Sequence, residues 1–120
     1  MGDDRWLHEY FDDVDNRRLE PFVARHTKNV TMRFGNAPPM NGQGELRAGI
    51  SAFWNQIEGL RHRFLNVWEV EPGTTVFEHS IDYTRRDGGV VNVPCTVIFR
   101  REGELVAEIR SYIDLTPVLM

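Results

Sequence analysis

The chain is short of several things, and each shortage closes a class of function. It holds one cysteine, Cys95, in 120 residues. No intrachain disulfide can form, and no zinc site built on cysteines is available. It has no excess of base: 14 Lys and Arg stand against 18 Asp and Glu, for a net charge of −4. The basic footprint of a nucleic-acid binder is therefore absent. The Arg pairs Arg17-Arg18, Arg85-Arg86 and Arg100-Arg101 lie apart, near apparent element ends, and read as solvated turn residues. No apolar stretch reaches the 18 residues a membrane helix needs. The start, Met1-Gly2-Asp3-Asp4-Arg5-Trp6, lacks the basic-then-apolar pattern of a signal peptide. Trp6 stands where a myristoylation motif has Ser or Thr. The expectation is a cytoplasmic protein. The four histidines show no ligand spacing such as H-x-x-x-H, so neither a metal nor a cofactor is expected.

What is present suits one domain spanning residues 1–120. Apolar residues make up 41% and charged residues 27%, ordinary globular values that exclude disorder. A chain of this length buries roughly two-thirds of its unfolded surface and needs no staples.

Helical spacing opens the chain. Trp6, Leu7, Tyr10, Phe11 and Val14 form one apolar stripe over residues 5–17, with Asp3 or Asp4 as a cap. A second short helix spans 18–27, with Pro21 in its first turn. Residues 29–34 are strand-like, and 35–44 form an ordered loop rich in Gly and Pro. A third helix spans 45–58, stopped by Gly59. Beyond it lie four strands, 62–71, 74–84, 90–101 and 104–116, separated by Pro72-Gly73, Asp87-Gly88-Gly89 and Glu102-Gly103. Helices in the first half and hairpin-linked strands in the second predict an α+β fold. A curved antiparallel sheet with three helices across its concave face would enclose a pocket.

This order, together with Glu9-Tyr10-Phe11-Asp12-Asp13-Val14-Asp15-Asn16, Asn29-Val30-Thr31-Met32-Arg33-Phe34, the Gly42…Leu46-Arg47…Phe53-Trp54 helix and Glu108-Ile109-Arg110-Ser111-Tyr112-Ile113-Asp114-Leu115, resembles the nuclear transport factor 2-like superfamily in its SnoaL-like and ketosteroid-isomerase-like branch. The resemblance runs over about residues 5–117. It implies a cone-shaped barrel around a pocket for a hydrophobic small molecule, and a homodimer formed through the outer sheet face. That face would carry Glu69, Glu78, Asp82, Glu108, Arg110, Asp114 and Tyr112. The superfamily holds isomerases, cyclases, dehydratases, epoxide hydrolases and plain binding domains, so fold alone does not choose among them.

The family's inward positions, carried over strand by strand, place Met32 and Phe34 in the pocket from the first strand and Asn66 and Trp68 from the second. Phe77, His79, Ile81 and Tyr83 follow from the third, Asn92, Pro94, Thr96 and Ile98 from the fourth, and Ile109, Ser111 and Ile113 from the last. Trp54 adds a wall, and Tyr10 and Asp15 reach in from the first helix. The set 77, 79, 81, 83 is more apolar than Glu78, Ser80, Asp82, Thr84, as an inner face should be. The strand at 90–101 is apolar on both faces, and alternation does not decide it.

The family's catalytic sets are each half present. The ketosteroid isomerase base position falls on Phe34 and its protonated-acid position on Thr96, which excludes ordinary ketosteroid isomerisation. The limonene-type epoxide hydrolase positions carry Ile81, His79, Ser111, Met32 and Phe34, which excludes that mechanism too. The dehydratase-type His–Asp dyad keeps Asp15 but has Asn66 in place of the His. His79 sits near the second His of scytalone-dehydratase-like relatives.

His79 is thus the leading candidate for acid–base work, since imidazole titrates near neutrality. The alternative is a core His bonded to Tyr10 or Asn92. Tyr10 is a candidate donor to a ligand oxygen or a core residue. Asp15 is a candidate assistant or a cap of the second helix. Asn66, Asn92, Thr96 and Ser111 would be isolated polar groups in an apolar cavity, which calls for partners such as water or a ligand. Cys95 points away from the cavity on this alternation. Two functions follow. One is a cofactor-independent enzyme of isomerase, cyclase or dehydratase type acting on an oxygenated hydrophobic molecule such as a polyketide or terpenoid. The other is a non-catalytic small-molecule binding domain. A dimer with a vestigial cavity is a third reading.

Overall fold

The computed structural model describes residues 4–119. Helix α1 (Arg5–Asp15) buries Leu7, Tyr10, Phe11 and Val14 along one stripe, the i, i+3, i+4, i+7 spacing of a face turned to a core. Asp4 occupies its N-cap position without a side-chain cap bond; Asp3 lies outside the described residues. Helix α2 (Leu19–Ala24) buries Phe22 and Val23. Its link to α1 is ionic: the carboxylate of Asp13, 5% exposed, accepts from Arg25 at 2.7 Å and Arg18 at 3.0 Å. Arg18 is therefore a tie between helices and not a free turn residue. Arg101 is tied as well, stacked 3.8 Å over the Trp6 ring.

The chain continues through β1 (His26–Phe34), a two-residue β2 (Met40–Asn41), α3 (Gly42–Trp54), β3 (Ile57–Glu71), β4 (Thr74–Arg85), β5 (Val90–Glu102), β6 (Leu105–Ile113) and a terminal turn of helix, α4 (Thr116–Leu119). The architecture is α+β, as the sequence predicts, with differences at the edges. The Gly- and Pro-rich loop contains β2. Helix α3 ends at Trp54 and not near Gly59, which instead lies inside β3. The last strand stops at Ile113.

The sheet has six strands in the order β2-β1-β6-β5-β4-β3. Strands β3 to β6 form an antiparallel meander, while β1 runs parallel to β6. The sheet is curved but open, with β2 and β3 as its edges, so the expected barrel is an unclosed cone. The β4–β5 turn is stabilised by the Asp87 carboxylate, which accepts from the Gly89 amide at 2.9 Å, and Gly88 there takes φ +89°, a conformation costly for other residues.

Strand β4 shows strict alternation: Thr75, Phe77, His79, Ile81 and Tyr83 are buried and their neighbours are not. In β5 the buried set is Val93, Cys95, Val97 and Phe99, the opposite phase from the one carried over from the family. Cys95 therefore faces inward, while Asn92, Pro94, Thr96 and Ile98 lie on the other face. In β3 a register irregularity between Phe64 and Asn66 moves the phase by one residue. Phe64 sits opposite His79 and Val67 opposite Phe77. Asn66 and Trp68 are thereby turned outward. Among the described residues no helix is long and apolar enough to cross a membrane.

Candidate active site

The concave face and helices α1, α2 and α3 meet around a cavity of about 60 Å³, walled by Phe11, Met32, Phe34, Trp54, Tyr83, Cys95 and Phe99 among others. Small-molecule pockets usually measure roughly 300–1,000 Å³. The space holds about two waters at the liquid volume of roughly 30 Å³ each. The space is smaller than a ring-shaped polyketide or terpenoid.

Two histidines border the cavity. His62 comes from β3, before the register irregularity, where Leu60, His62 and Phe64 alternate inward against exposed Arg61 and Arg63. Its Nδ1–H donates to Asp15 Oδ1 at 2.5 Å, and its backbone N–H donates to Asp15 Oδ2 at 3.1 Å. Both carboxylate oxygens of Asp15 are thus used to hold one imidazole. Asp15 does not cap α2, whose N-cap position is Arg18. With Nδ1 carrying its proton toward the carboxylate, Nε2 is the lone-pair nitrogen of the neutral ring.

His79 lies beside it, with ring centroids 4.8 Å apart. The other faces of His79 are closed by Phe11, Phe64 and Phe77 at 4.5, 4.6 and 4.7 Å. It is 1% exposed, and neither ring nitrogen has a hydrogen-bond partner among the described residues. Burial in this aromatic box pushes its pKa down to about 3, with His62 acting in the same direction. His79 is a neutral imidazole at physiological pH. It is bonded to neither Tyr10 nor Asn92.

Tyr10 lines the cavity with its ring, but its hydroxyl is committed. His26 Nδ1 donates to the Phe22 carbonyl at 2.9 Å, since a carbonyl can only accept. Nε2 of the neutral ring therefore accepts, and the Tyr10 hydroxyl donates to it at 2.8 Å. Burial pushes the His26 pKa down to about 4 and raises that of Tyr10. The pair is structural, so the expected role of Tyr10 as a donor to a ligand oxygen gives way to an internal bond.

Of the other anticipated wall residues, Met32, Phe34, Trp54, Ile81, Tyr83, Ile109 and Ser111 border the cavity, and Phe77 packs beneath His79. Tyr83 and Ser111 bring hydroxyls to the wall. Burial, with Cys95 and Asp15 nearby, raises the Tyr83 pKa and keeps it protonated. The remainder are elsewhere. Asn66 donates to Glu78 Oε1 at 2.7 Å on the outer face, and Trp68 is 47% exposed. Asn92 donates to Ser80 Oγ at 2.7 Å and Asp82 Oδ1 at 2.8 Å. Thr96 pairs between Glu78 and Tyr112 on the same outer face. Ile113 borders a surface groove instead. The residue that reasoning from the family pattern missed is His62. Its signal is in the sequence: Leu60-Arg61-His62-Arg63-Phe64 alternates apolar and charged side chains, with His62 on the apolar side.

Cys95 is buried at the cavity wall, and burial pushes its thiol up to about 12, so it is no nucleophile. No group of three or more His, Cys, Asp or Glu able to hold a metal ion occurs among the described residues.

Comparison with known proteins gives a consistent picture of the fold. Residues 7–109 match the SnoaL-like domain. An NTF2-like protein of unknown function from Burkholderia pseudomallei superposes with a TM-score of 0.86 at 14% identity, over 97% of this chain and 95% of that one. A protein of ketosteroid isomerase-like fold from Catenulispora acidiphila, in complex with trimethylamine, gives 0.84 at 13% identity, over 95% and 88%. An LEH-like epoxide hydrolase of M. tuberculosis gives 0.79 at 10% identity, over 95% and 84%. No curated protein matches the sequence. At such identities the likeness extends to the fold and not to the chemistry.

Proposed function

Because the chain belongs to the SnoaL-like domain family, we propose that it is a cofactor-independent acid–base enzyme of the isomerase, cyclase or dehydratase type, with His62 as the base, Asp15 as its orienting partner and His79 as a neutral hydrogen-bond donor. The observation that carries this reading is the Asp15–His62 pair at 2.5 Å bordering an apolar cavity, 4.8 Å from a second imidazole whose nitrogens are unpaired.

The chemistry follows from the protonation states. Nε2 of His62 takes a proton from a carbon next to a carbonyl, breaking the C–H bond. The electron pair moves through the C–C bond onto the oxygen, giving an enolate. Asp15 holds the imidazole in the tautomer that leaves Nε2 free and stabilises the imidazolium once formed. An N–H of neutral His79 can meet the oxygen charge; a neutral imidazole is suited to this because it has no proton to lose easily. The imidazolium then returns its proton, either to another carbon, which is isomerisation, or to a departing hydroxyl, which is dehydration. The sequence-based assignment of proton transfer to His79 passes to His62 in this scheme. A base placed in this way contributes roughly 10²- to 10⁴-fold.

The test is deuterium uptake at the α-carbon of small neutral ketones, 2-butanone and hydroxyacetone, in D₂O by NMR. The protein should accelerate uptake, His62→Ala should remove the acceleration, and Asp15→Asn should reduce it at least tenfold. Equal rates with wild type and His62→Ala would overturn the proposal. The second reading, a non-catalytic binding domain, draws on the close aromatic packing around His79; it predicts ligand binding that survives His62→Ala with no α-carbon exchange in either protein.

A further inference from the structure

The cavity is too small for the molecules its fold commonly suggests, yet both ring nitrogens of His79 on its wall are unsatisfied and that wall is shared with an open groove. With about 60 Å³ available, only a head of a few non-hydrogen atoms fits inside. Among the described residues no Lys or Arg lines the cavity, so a carboxylate or phosphate there would be buried without a counter-cation. The two unpaired nitrogens of His79 call for a group that exchanges hydrogen bonds. An uncharged oxygenated head meets all three conditions.

The exit is marked by Phe34. This half-buried ring lines the cavity and also a surface groove of about 420 Å³, bordered by Ala37, Ile113, Leu115 and Leu119. On β6, Ser111 borders the cavity and Ile113, two residues on, borders the groove. Phe34 is the register partner of Ser111. Gly35 takes φ +60° at the groove floor, where a Cβ would meet the Ile113 carbonyl oxygen at 3.0 Å. Apolar walls thus run from the cavity past one phenyl ring, with Asn36, Asp114 and Thr116 at the groove's polar rim.

We infer that the site takes an uncharged amphiphile, its small oxygenated head beside His62 and His79 and its unbranched apolar tail in the groove beyond Phe34. The inference rests on the acid–base reading only for the position of the head.

The experiment measures dissociation constants of 2-butanone, 2-hexanone and 2-nonanone by NMR titration. A fully buried methylene tightens binding about fourfold, and a half-covered one about twofold. The constants should therefore fall at least about thirtyfold over the five methylenes separating the first ketone from the last. Nonanoate should bind at least tenfold more weakly than 2-nonanone. Ala37 and Leu119 are exposed, so Ala37→Trp, which fills the groove, and Leu119→Asp, which makes it polar, should fold. Each should flatten the dependence on chain length. Equal constants for the three ketones, a slope that survives both variants, or tighter binding of nonanoate would overturn the inference. Repeating the series in His62→Ala separates the two proposals: a retained slope with lost α-carbon exchange supports both, and a retained slope with no exchange in wild type sinks only the acid–base reading.

Discussion

Replacing His79 with Phe should make the protein more stable, and the gain should grow as the pH falls. In the folded chain the ring sits among Phe11, Phe64 and Phe77 with two unpaired nitrogens. An unsatisfied buried polar group costs about 1–3 kcal/mol. Phe removes both and has a cavity of about 60 Å³ beside it to take the extra volume. A gain of about 2 kcal/mol at pH 7.5 follows, or about 8 °C in Tm for a chain of this size. Acid adds a second contribution. The folded pKa of His79 is about 3 against an ordinary 6.5, so between those values the unfolded chain binds more protons there. Stability must then fall as pH drops through that window. At pH 5 the wild type loses about 2 kcal/mol through this residue alone. His26, held near 4, weakens both proteins equally and cancels. The variant should therefore lead by about 4 kcal/mol at pH 5. Urea denaturation at the two pH values, followed by tryptophan fluorescence, reads the difference. A variant less stable than wild type at pH 7.5, or a lead that does not change with pH, would refute the reasoning.

Three further outcomes follow from the same geometry. Tyr10→Phe strips the donor from buried His26 and should cost about 1–2 kcal/mol in urea denaturation, with little change in α-carbon exchange; a large loss of exchange would return Tyr10 to the chemistry. Asp13→Ala leaves Arg25 and Arg18 without their shared carboxylate and should cost about 2–3 kcal/mol, seen as a lower urea midpoint. Cys95, with its thiol near 12, should resist iodoacetamide at pH 8 in the folded protein and react once urea unfolds it, as mass spectrometry would show.

The architecture was legible because its signals are local. The α1 stripe, the Pro72-Gly73 and Asp87-Gly88-Gly89 turns and the alternation of Phe77, His79, Ile81 and Tyr83 each fix an element from its own residues. The failures lie where facing depends on a neighbour. Strand β5 reads Val90-Val91-Asn92-Val93-Pro94-Cys95-Thr96-Val97, apolar on both phases. Its phase is set only by pairing, with Cys95 opposite His79 and Val97 opposite Phe77. Strand β3 carries two phases, since the irregularity after Phe64 turns Asn66 outward. Counting every second residue puts Asn66 and Trp68 on the phase of His62 and Phe64, and only the irregularity turns them outward while His62 stays inside. The commitment of Tyr10 to His26 was equally hidden, because those residues are 16 positions apart and meet only when α1 lies over the start of β1.

The same irregularity in β3 explains how one edge strand serves two purposes. Before it, Leu60, His62 and Phe64 face the interior and bring an imidazole within reach of Asp15 at the end of α1. After it, only Val67 is half-buried, and Leu65, Trp68 and Val70 are left exposed. A strand of constant phase through Val67 would place Arg61 and Arg63 in the interior and His62 outside, burying two charges without partners. One that kept the phase of His62 throughout would bring Asn66 and Trp68 inward against Phe77 and Thr75, in a space that has no room for an indole. The extra residue lets His62 and Val67 both face inward, and it isolates the dyad from the outer row formed by Asn66, Glu78, Thr96 and Tyr112. Leu65 is the one residue there without a partner in β4, between Phe64 opposite His79 and Asn66 opposite Glu78. Deleting it should therefore restore unbroken alternation and leave His62 and Val67 both inward, with the Asp15–His62 bond kept and the His62 imidazole resonance unchanged in NMR. A shifted or lost His62 signal in a folded deletion variant would show that the extra residue itself holds the dyad in place.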